Sequence, residues 1–196
     1  MTRYFTHEEF VENFGKEMAS AEDVYDLLKK NGMTDNALGT FDVVYISDSK
    51  DKLDSLGNFL TENYGFKMKE SEKVDDHWEI AGDTKPIPVD SENLLYWGLD
   101  LYVKGYEYDC YLDGYGAMMD HENPKFLNMD TTMEDHYFET GLEAYNKRDL
   151  GSAIINWTLA TKINPRTQVH TIQELLQRMN FIHGNQRSGI MTKQLS

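Results

Sequence analysis

The feature that most constrains the fold is a repeated change of hydrophobic period in the middle of the 196-residue chain. Segments rich in β-branched and aromatic residues alternate with segments whose apolar residues recur at helical spacing. The strand-like segments are 41–47, 66–69, 78–81 and 106–112, and the helix-like segments are 49–64 and 91–104. Their order predicts an α+β, ferredoxin-like split βαβ fold, with a four-stranded antiparallel sheet and both helices on one face.

Capping residues and glycines predict where these elements begin and end. Asp48 is expected to cap the first helix of this block, and Asp90 or Ser91 is expected to cap the second. Gly105 is expected to end the second helix. The glycine-rich segment 113–116 is interpreted as a turn that closes the last strand.

The first 39 residues are predicted to form a helical arm. Thr6 and Glu9 have the spacing of a capping box. Ser20 is expected to start a second short helix, which Gly32 ends through a left-handed backbone conformation.

Charge is distributed unevenly along the chain. The whole sequence has 34 acidic and 19 basic side chains, a net charge of −15. Residues 40–120 contain 18 acidic and 7 basic side chains and are interpreted as an acidic ferredoxin-like domain, between an arm at 1–39 and a helical region at 121–196. Because such a surface repels nucleic-acid phosphates, we expect a basic protein partner and no direct nucleic-acid binding.

The C-terminal region contains a pattern similar to one tetratricopeptide unit, at about residues 134–167. Its small positions are occupied by Gly141, Ala153 and Ala160, and its large aromatic position by Trp157. Small residues allow two antiparallel helices to approach closely. We therefore predict a helical hairpin with Trp157 mostly buried, followed by a further helix over 167–181.

Residues 41–120 also contain the strand sequence FDVVYISD, a Tyr-Gly-Phe junction at 64–66 and the closing motif YDCYLDGYG. On these motifs the block resembles the regulator of ribonuclease activity B family of bacterial ribonuclease E inhibitors. Tyr115 stands where a Trp is typical of that family. The resemblance implies a protein that binds and inhibits a ribonuclease.

The sequence contains no pattern typical of a catalytic, metal or cofactor site. Cys110 is the single cysteine, the six histidines are scattered, and neither a phosphate-binding glycine loop nor a Gly-x-Ser-x-Gly elbow is present. We therefore predict no catalytic residue, no metal, no cofactor and no enzymatic activity. The lone thiol, the lack of a secretory N-terminal pattern and the lack of an apolar run of about 18 residues favour a cytoplasmic protein without membrane association.

The favoured interpretation is an acidic regulator that binds and inhibits a basic partner such as a ribonuclease, either as a housekeeping regulator or as an immunity protein. Its predicted partner-binding residues are Asp75, Asp76, Glu79, Asp109, Asp113 and Tyr115. Tyr115 is expected to be an exposed aromatic anchor within the closing turn. The alternative is a peptide-binding adaptor that uses the C-terminal hairpin.

Overall fold

The computed structural model describes residues 3–127 and 133–164. Its helices are α1 (His7–Lys30), α2 (Lys50–Phe59, continued by a π-helical turn at Leu60–Tyr64), α3 (Ser91–Glu107), α4 (Glu134–Asn146) and α5 (Leu150–Ile163). Its strands are β1 (Ala37–Ser47), β2 (Lys67–Met68), β3 (Glu72–Val74), β4 (His77–Asp83), β5 (Ile87–Val89) and β6 (Tyr111–Met118).

Strand β1 lies at the centre of an open antiparallel sheet. Residues 42–46 pair with β4 along one edge and with β6 along the other. Both β2 and β3 pair with β4, and β5 pairs with the first residues of β1. The predicted α+β class with an antiparallel sheet is confirmed, whereas the short strands β3 and β5 were not predicted.

Side chains of β1 alternate between two faces because successive strand residues point in opposite directions. The odd-numbered positions from Ala37 to Ser47 are buried, and the Tyr45 hydroxyl donates to the Leu101 carbonyl of α3 at 2.9 Å. Helices α2 and α3 contact the sheet, α1 and α5 pack on α3, and α4 packs on α5. The five described helices therefore lie on the Tyr45 side of the sheet.

The N-terminal arm contains one helix rather than two. The capping box at Thr6 and Glu9 is confirmed, with each residue bonding to the backbone of the other. The predicted start of a second helix at Ser20 is wrong, because α1 continues through it to Lys30. Phe10 stacks on Tyr102 and Tyr106 of α3, so packing on α3 holds the long helix together.

Two predicted boundaries around α3 are wrong for the same physical reason. A Cβ at Gly105 would lie 2.8 Å from the Cys110 carbonyl oxygen and 3.1 Å from the Tyr45 ring. Glycine therefore permits close packing within the helix, and α3 continues to Glu107. Strand β6 then begins only at Tyr111, so residues 113–116 lie inside the strand and do not form a closing turn.

The predicted caps of α2 and α3 have different outcomes. Asp90 caps α3 as predicted, because its side chain accepts the Asn93 N–H at 2.8 Å. Asp48 does not cap α2: the residue before the helix is Ser49, and the Asp48 carboxylate accepts from the Lys52 ammonium at 2.6 Å.

The predicted hairpin is confirmed as α4 and α5. A Cβ at Gly141 would lie 2.5 Å from the Trp157 ring, and Ala153 and Ala160 are fully buried. The Trp157 indole N–H donates to the Phe138 carbonyl at 3.2 Å. The predicted helix over 167–181 lies outside the described residues.

The arm, the sheet and the hairpin share one hydrophobic core. Phe5 and Leu28 from the arm and Ile155 from α5 belong to the same buried cluster as Tyr45. The first strand also begins at Ala37, within the segment predicted to be arm.

Candidate protein-binding surface

The sheet face opposite Tyr45 carries two pairs of directly opposed carboxylates. Asp42 of β1 is the register partner of Asp83 in β4, and Glu72 of β3 is the partner of Glu79 in β4. Directly opposed like charges destabilise a sheet. We call this surface the open face and define it by Asp42, Val44, Ile46, Glu72, Glu79, Ala81 and Asp83.

Between the two acidic pairs the open face is apolar. Val44 is the partner of Ala81, Ile46 is the partner of Glu79, and the side chains of Val44 and Ile46 are half-buried. One cation adjoins the carboxylates: Lys67 of β2 lies opposite Asp83. The face thus combines an aliphatic centre with carboxylates at both ends.

A second group of carboxylates lies where β3 joins β4. Asp75 and Asp76 form the tip of this hairpin, and Asp75 adopts a positive φ of 48°. The Asp76 carboxylate is 3.3 Å from His77 Nδ1, and this contact lowers the pKa of Asp76. Both aspartates are exposed to solvent.

Tyr4 shows that part of this hairpin lies near the start of β6. Partial burial raises the pKa of Tyr4, and the charges of Asp48, Asp76 and Asp113 raise it further. Asp113 is exposed at a register shift of β6, where β1 pairs with Leu112 and Gly114 and passes over the intervening residue. Two of the predicted binding residues, Asp76 and Asp113, therefore share one electrostatic environment.

Asp109, a predicted binding residue, has a structural position. Its carboxylate accepts the Phe5 N–H at 2.9 Å and lies 2.7 Å from the Lys52 ammonium. Burial alone would raise its pKa, but the bonds from Lys52 and from the N-terminal backbone lower it below the ordinary value. Asp109 therefore connects the N-terminal segment to α2 and does not present a free carboxylate to solvent.

Tyr115 is not the exposed turn residue that the sequence predicted. It lies within β6 opposite Val43, on the face covered by helices, and its hydroxyl oxygen would be 2.7 Å from a Cβ placed on Gly98 of α3. Burial raises the pKa of Tyr115 to about 12. Because Gly98 makes room for the phenol, Tyr115 fills space between β6 and α3.

The sequence did not predict a group of buried polar residues between α3 and the α4–α5 connection. The Tyr64 hydroxyl lies 2.7 Å from Asp100 Oδ2 and 2.9 Å from the Arg148 carbonyl oxygen. Lys104 is buried and donates to Glu107 at 2.8 Å. We call Tyr64, Asp100, Lys104 and Asp149 the buried junction.

The buried junction contains two buried carboxyl groups, those of Asp100 in α3 and Asp149 at the start of α5. Burial raises the pKa of Asp100 to about 7, although the Tyr64 hydrogen bond and the Lys104 charge oppose this increase. Burial also raises the pKa of Asp149, which caps α5 by accepting the Ser152 N–H at 2.9 Å. The junction therefore connects the hairpin to the body of the protein.

The single cysteine and the groups that could ligate a metal were also located in the described part of the chain. Cys110 is buried and burial raises its pKa to about 12, so its thiolate is disfavoured. Within residues 3–127 and 133–164, no three His, Cys, Asp or Glu side chains are placed to hold a metal ion. Over the same ranges, no helix has the length and apolar character needed to cross a membrane.

Asp42, Glu72 and Asp83 were missed as members of a surface because their pairing depends on sheet register. The sequence does contain one usable signal, since Asp42 alternates with Val43 and shares its face with Val44 and Ile46. The chain matches no protein-family model and no curated protein.

Proposed function

We propose that this protein is an acidic regulator that binds a basic protein, and that a ribonuclease is the partner it inhibits. One observation carries the proposal: six carboxylates of the sheet and its β3–β4 turn make no ion pair with any described Lys, Arg or His side chain. These residues are Asp42, Glu72, Asp75, Glu79, Asp83 and Asp113.

What distinguishes the sheet carboxylates is that they lie close together in register. Asp54, Asp48 and Asp35 each lie within 3.2 Å of a lysine ammonium. Exposed carboxylates of α1, such as Glu12 and Glu22, also make no described ion pair, but on the sheet the carboxylates lie directly opposite one another in register. A negative field of this kind accelerates association with a basic partner and disfavours RNA.

Inhibition would follow from competition for the same cations. A ribonuclease binds RNA phosphates with Lys and Arg side chains, and carboxylates that pair with these side chains leave no site for the phosphates. No group of the regulator needs to react. The proposal also includes the topology of the fold, a split βαβ arrangement whose four main strands are β6, β1, β4 and β2. It places the protein in the cytoplasm.

A direct test titrates the full chain into a ribonuclease E cleavage assay on a short single-stranded RNA. We expect inhibition that saturates near equimolar protein and weakens as salt is raised. Asp75→Lys/Asp76→Lys should slow association in surface plasmon resonance and flatten its salt dependence, with little change in dissociation rate. Absence of both binding and inhibition at low salt would rule out ribonuclease E as the partner.

A second candidate function is peptide binding beside the hairpin. A cleft of about 230 Å³ is lined by Asn36, Pro88, Phe126, Leu127, Leu159 and Lys162. Phe126 is 49% exposed there, so an apolar side chain of a peptide could enter. Leu159→Ser would weaken a partner bound in this cleft and leave a partner bound on the sheet unaffected.

A further inference from the structure

The open face combines directly opposed carboxylates with an apolar centre that none of the described helices covers. The pairs Asp42 with Asp83 and Glu72 with Glu79 each place two carboxylates at directly opposed positions, which destabilises the sheet. Val44 and Ala81 lie between these pairs on the same face. All five described helices lie on the other side of the sheet.

We propose that the open face binds an amphipathic, basic α-helix of the partner protein, an inference that rests on the function proposed above. The apolar stripe of the helix packs on Val44, Ile46 and Ala81. Its Lys or Arg side chains pair with the carboxylates at the two ends of the face. The partner thereby relieves a repulsion that the free protein carries.

The spacing of the face suits a helix. Asp42 and Ile46 are four residues apart on β1, and Ile46 shares its row with Glu79 and Glu72. At roughly 3.3 Å per strand residue the two acidic rows are about 13 Å apart. A helix rises about 1.5 Å and turns about 100° per residue, so cations seven or eight positions apart lie on one side of it and, through their long side chains, reach both rows.

Other occupants fit this surface less well. A β-strand binds at a sheet edge through its backbone, whereas a sheet face is covered by a helix or by another sheet. Two copies of this chain that met through their open faces would bring the acidic pairs of both copies together. RNA is excluded by the same charge, since its phosphates would meet carboxylates.

The test uses two synthetic peptides of about 14 residues, long enough for roughly four helical turns. The first carries leucines at helical spacing with arginines on the flanks and near both ends. The second has the same composition in a scrambled order without an apolar stripe. Binding of each peptide to the full chain is measured by fluorescence anisotropy, and amide shifts of Val44, Ile46 and Ala81 are followed by NMR.

The decisive variant neutralises the face by Asp42→Asn, Glu72→Gln, Glu79→Gln and Asp83→Asn. The matched control makes the same charge change on the exposed surface of α1, by Glu12→Gln, Glu22→Gln, Asp23→Asn and Asp26→Asn. We expect the face variant to weaken binding of the amphipathic peptide by about tenfold at low salt, and the control by less than about threefold. Equal weakening by both variants, or equal affinity of wild type for both peptides, would overturn the inference.

The ribonuclease assay separates this inference from the proposed function. If wild type and the face variant inhibit ribonuclease E equally, the regulator function stands and the open face is not its binding surface. If wild type has no effect on the ribonuclease but binds the amphipathic peptide on the open face, the ribonuclease proposal fails and the helix-binding surface stands.

Discussion

The open face and the buried junction both contain aspartates, but those of the open face are accessible to solvent and those of the junction are buried. On the open face, Asp42 and Asp83 are exposed or half-buried and oppose each other across two strands. In the junction, Asp100 is 3% exposed and lies 2.7 Å from the Tyr64 hydroxyl. Burial raises the pKa of Asp100 to about 7.

The difference shows that acidic residues in this chain occur in two kinds of environment, with and without a polar partner. Carboxylates that have a donor or a cation hold elements together, as Asp109 and Asp149 do. Of the carboxylates without a described ion pair, Asp42 and Asp83 lie together on the open face, whereas others such as Glu12 lie on α1. Net charge alone cannot distinguish these groups, because both contribute equally to the sequence total of −15.

The largest expected effect is on the pH dependence of stability through Asp100. Its folded pKa of about 7 lies above the ordinary unfolded value of about 3.9. Folding therefore takes up a proton, so this residue lowers the free energy of unfolding progressively as pH rises from about 4 to about 7. In Asp100→Asn this loss should disappear, a change of roughly 2–3 kcal/mol between pH 5 and pH 8.

Urea denaturation at pH 5 and pH 8 measures this effect, with Asp75→Asn as the control that removes an exposed carboxylate. The control should retain the pH dependence of wild type. If Asp100→Asn also retains it, then Asp100 ionises in the folded protein without cost. The contrast between the buried junction and the open face would then be wrong.

An intermediate effect should separate Asp109 from Asp113, two carboxylates of the same YDCYLDGYG motif. Asp109→Asn keeps a residue that tolerates the positive φ of 60° but weakens the bonds from Lys52 and Phe5. We expect a loss of about 1–2 kcal/mol in the free energy of unfolding at pH 7. Asp113→Asn should change it by less than about 0.5 kcal/mol.

Acid should remove the difference between these two variants. Because the folded pKa of Asp109 is lowered, its stabilisation is present above the unfolded value of about 3.9 and is lost as pH falls below it. Thermal denaturation from pH 7 to pH 3 measures this trend. A penalty for Asp109→Asn that persists at pH 3 would indicate a steric rather than an electrostatic cause.

Local signals predicted much of the fold. The capping box at Thr6, the cap at Asp90 and the close contact of Gly141 with Trp157 depend on residues near in sequence or on helical spacing, and all three are confirmed. The prediction that Gly105 ends a helix was wrong because the sequence alone does not distinguish a glycine that ends a helix from one that lets a neighbouring strand pack closely against the helix. Only the position of Tyr45 distinguishes them.

The candidate site was harder to predict because it depends on register. Asp42 and Asp83 are distant in the chain, and a shift of one residue would place them on opposite faces. Asp100 was missed for a related reason, since a carboxylate in an amphipathic helix is normally assigned to its exposed side. Its burial follows from α5 and Tyr64, which the helical pattern of α3 does not contain.

The smallest expected effect concerns the acidic pair of the open face itself. Asp42 has Asp83 as its β4 partner, whereas Asp83 also has Lys67 as its β2 partner. Asp42→Asn therefore removes a repulsion and leaves Asp83 opposite Lys67, so it should stabilise the protein by a few tenths of a kcal/mol. Asp83→Asn removes the repulsion from Asp42 and the attraction to Lys67 together, so its effect on the free energy of unfolding should be close to zero.

In a double-mutant cycle the effects of the two substitutions on the free energy of unfolding should be less than additive, because either one alone abolishes the same repulsion. High salt should reduce the coupling energy, since both side chains are accessible to ions. Denaturation of the four proteins at low and high salt measures this coupling energy.

The sign of the Asp42→Asn effect shows what this carboxylate contributes. If Asp42→Asn stabilises the protein but binds the basic peptide less tightly than wild type, then the repulsion between Asp42 and Asp83 lowers stability while Asp42 contributes to binding. A destabilised Asp42→Asn variant would show instead that Asp42 belongs with Asp109 among the carboxylates that hold the fold together.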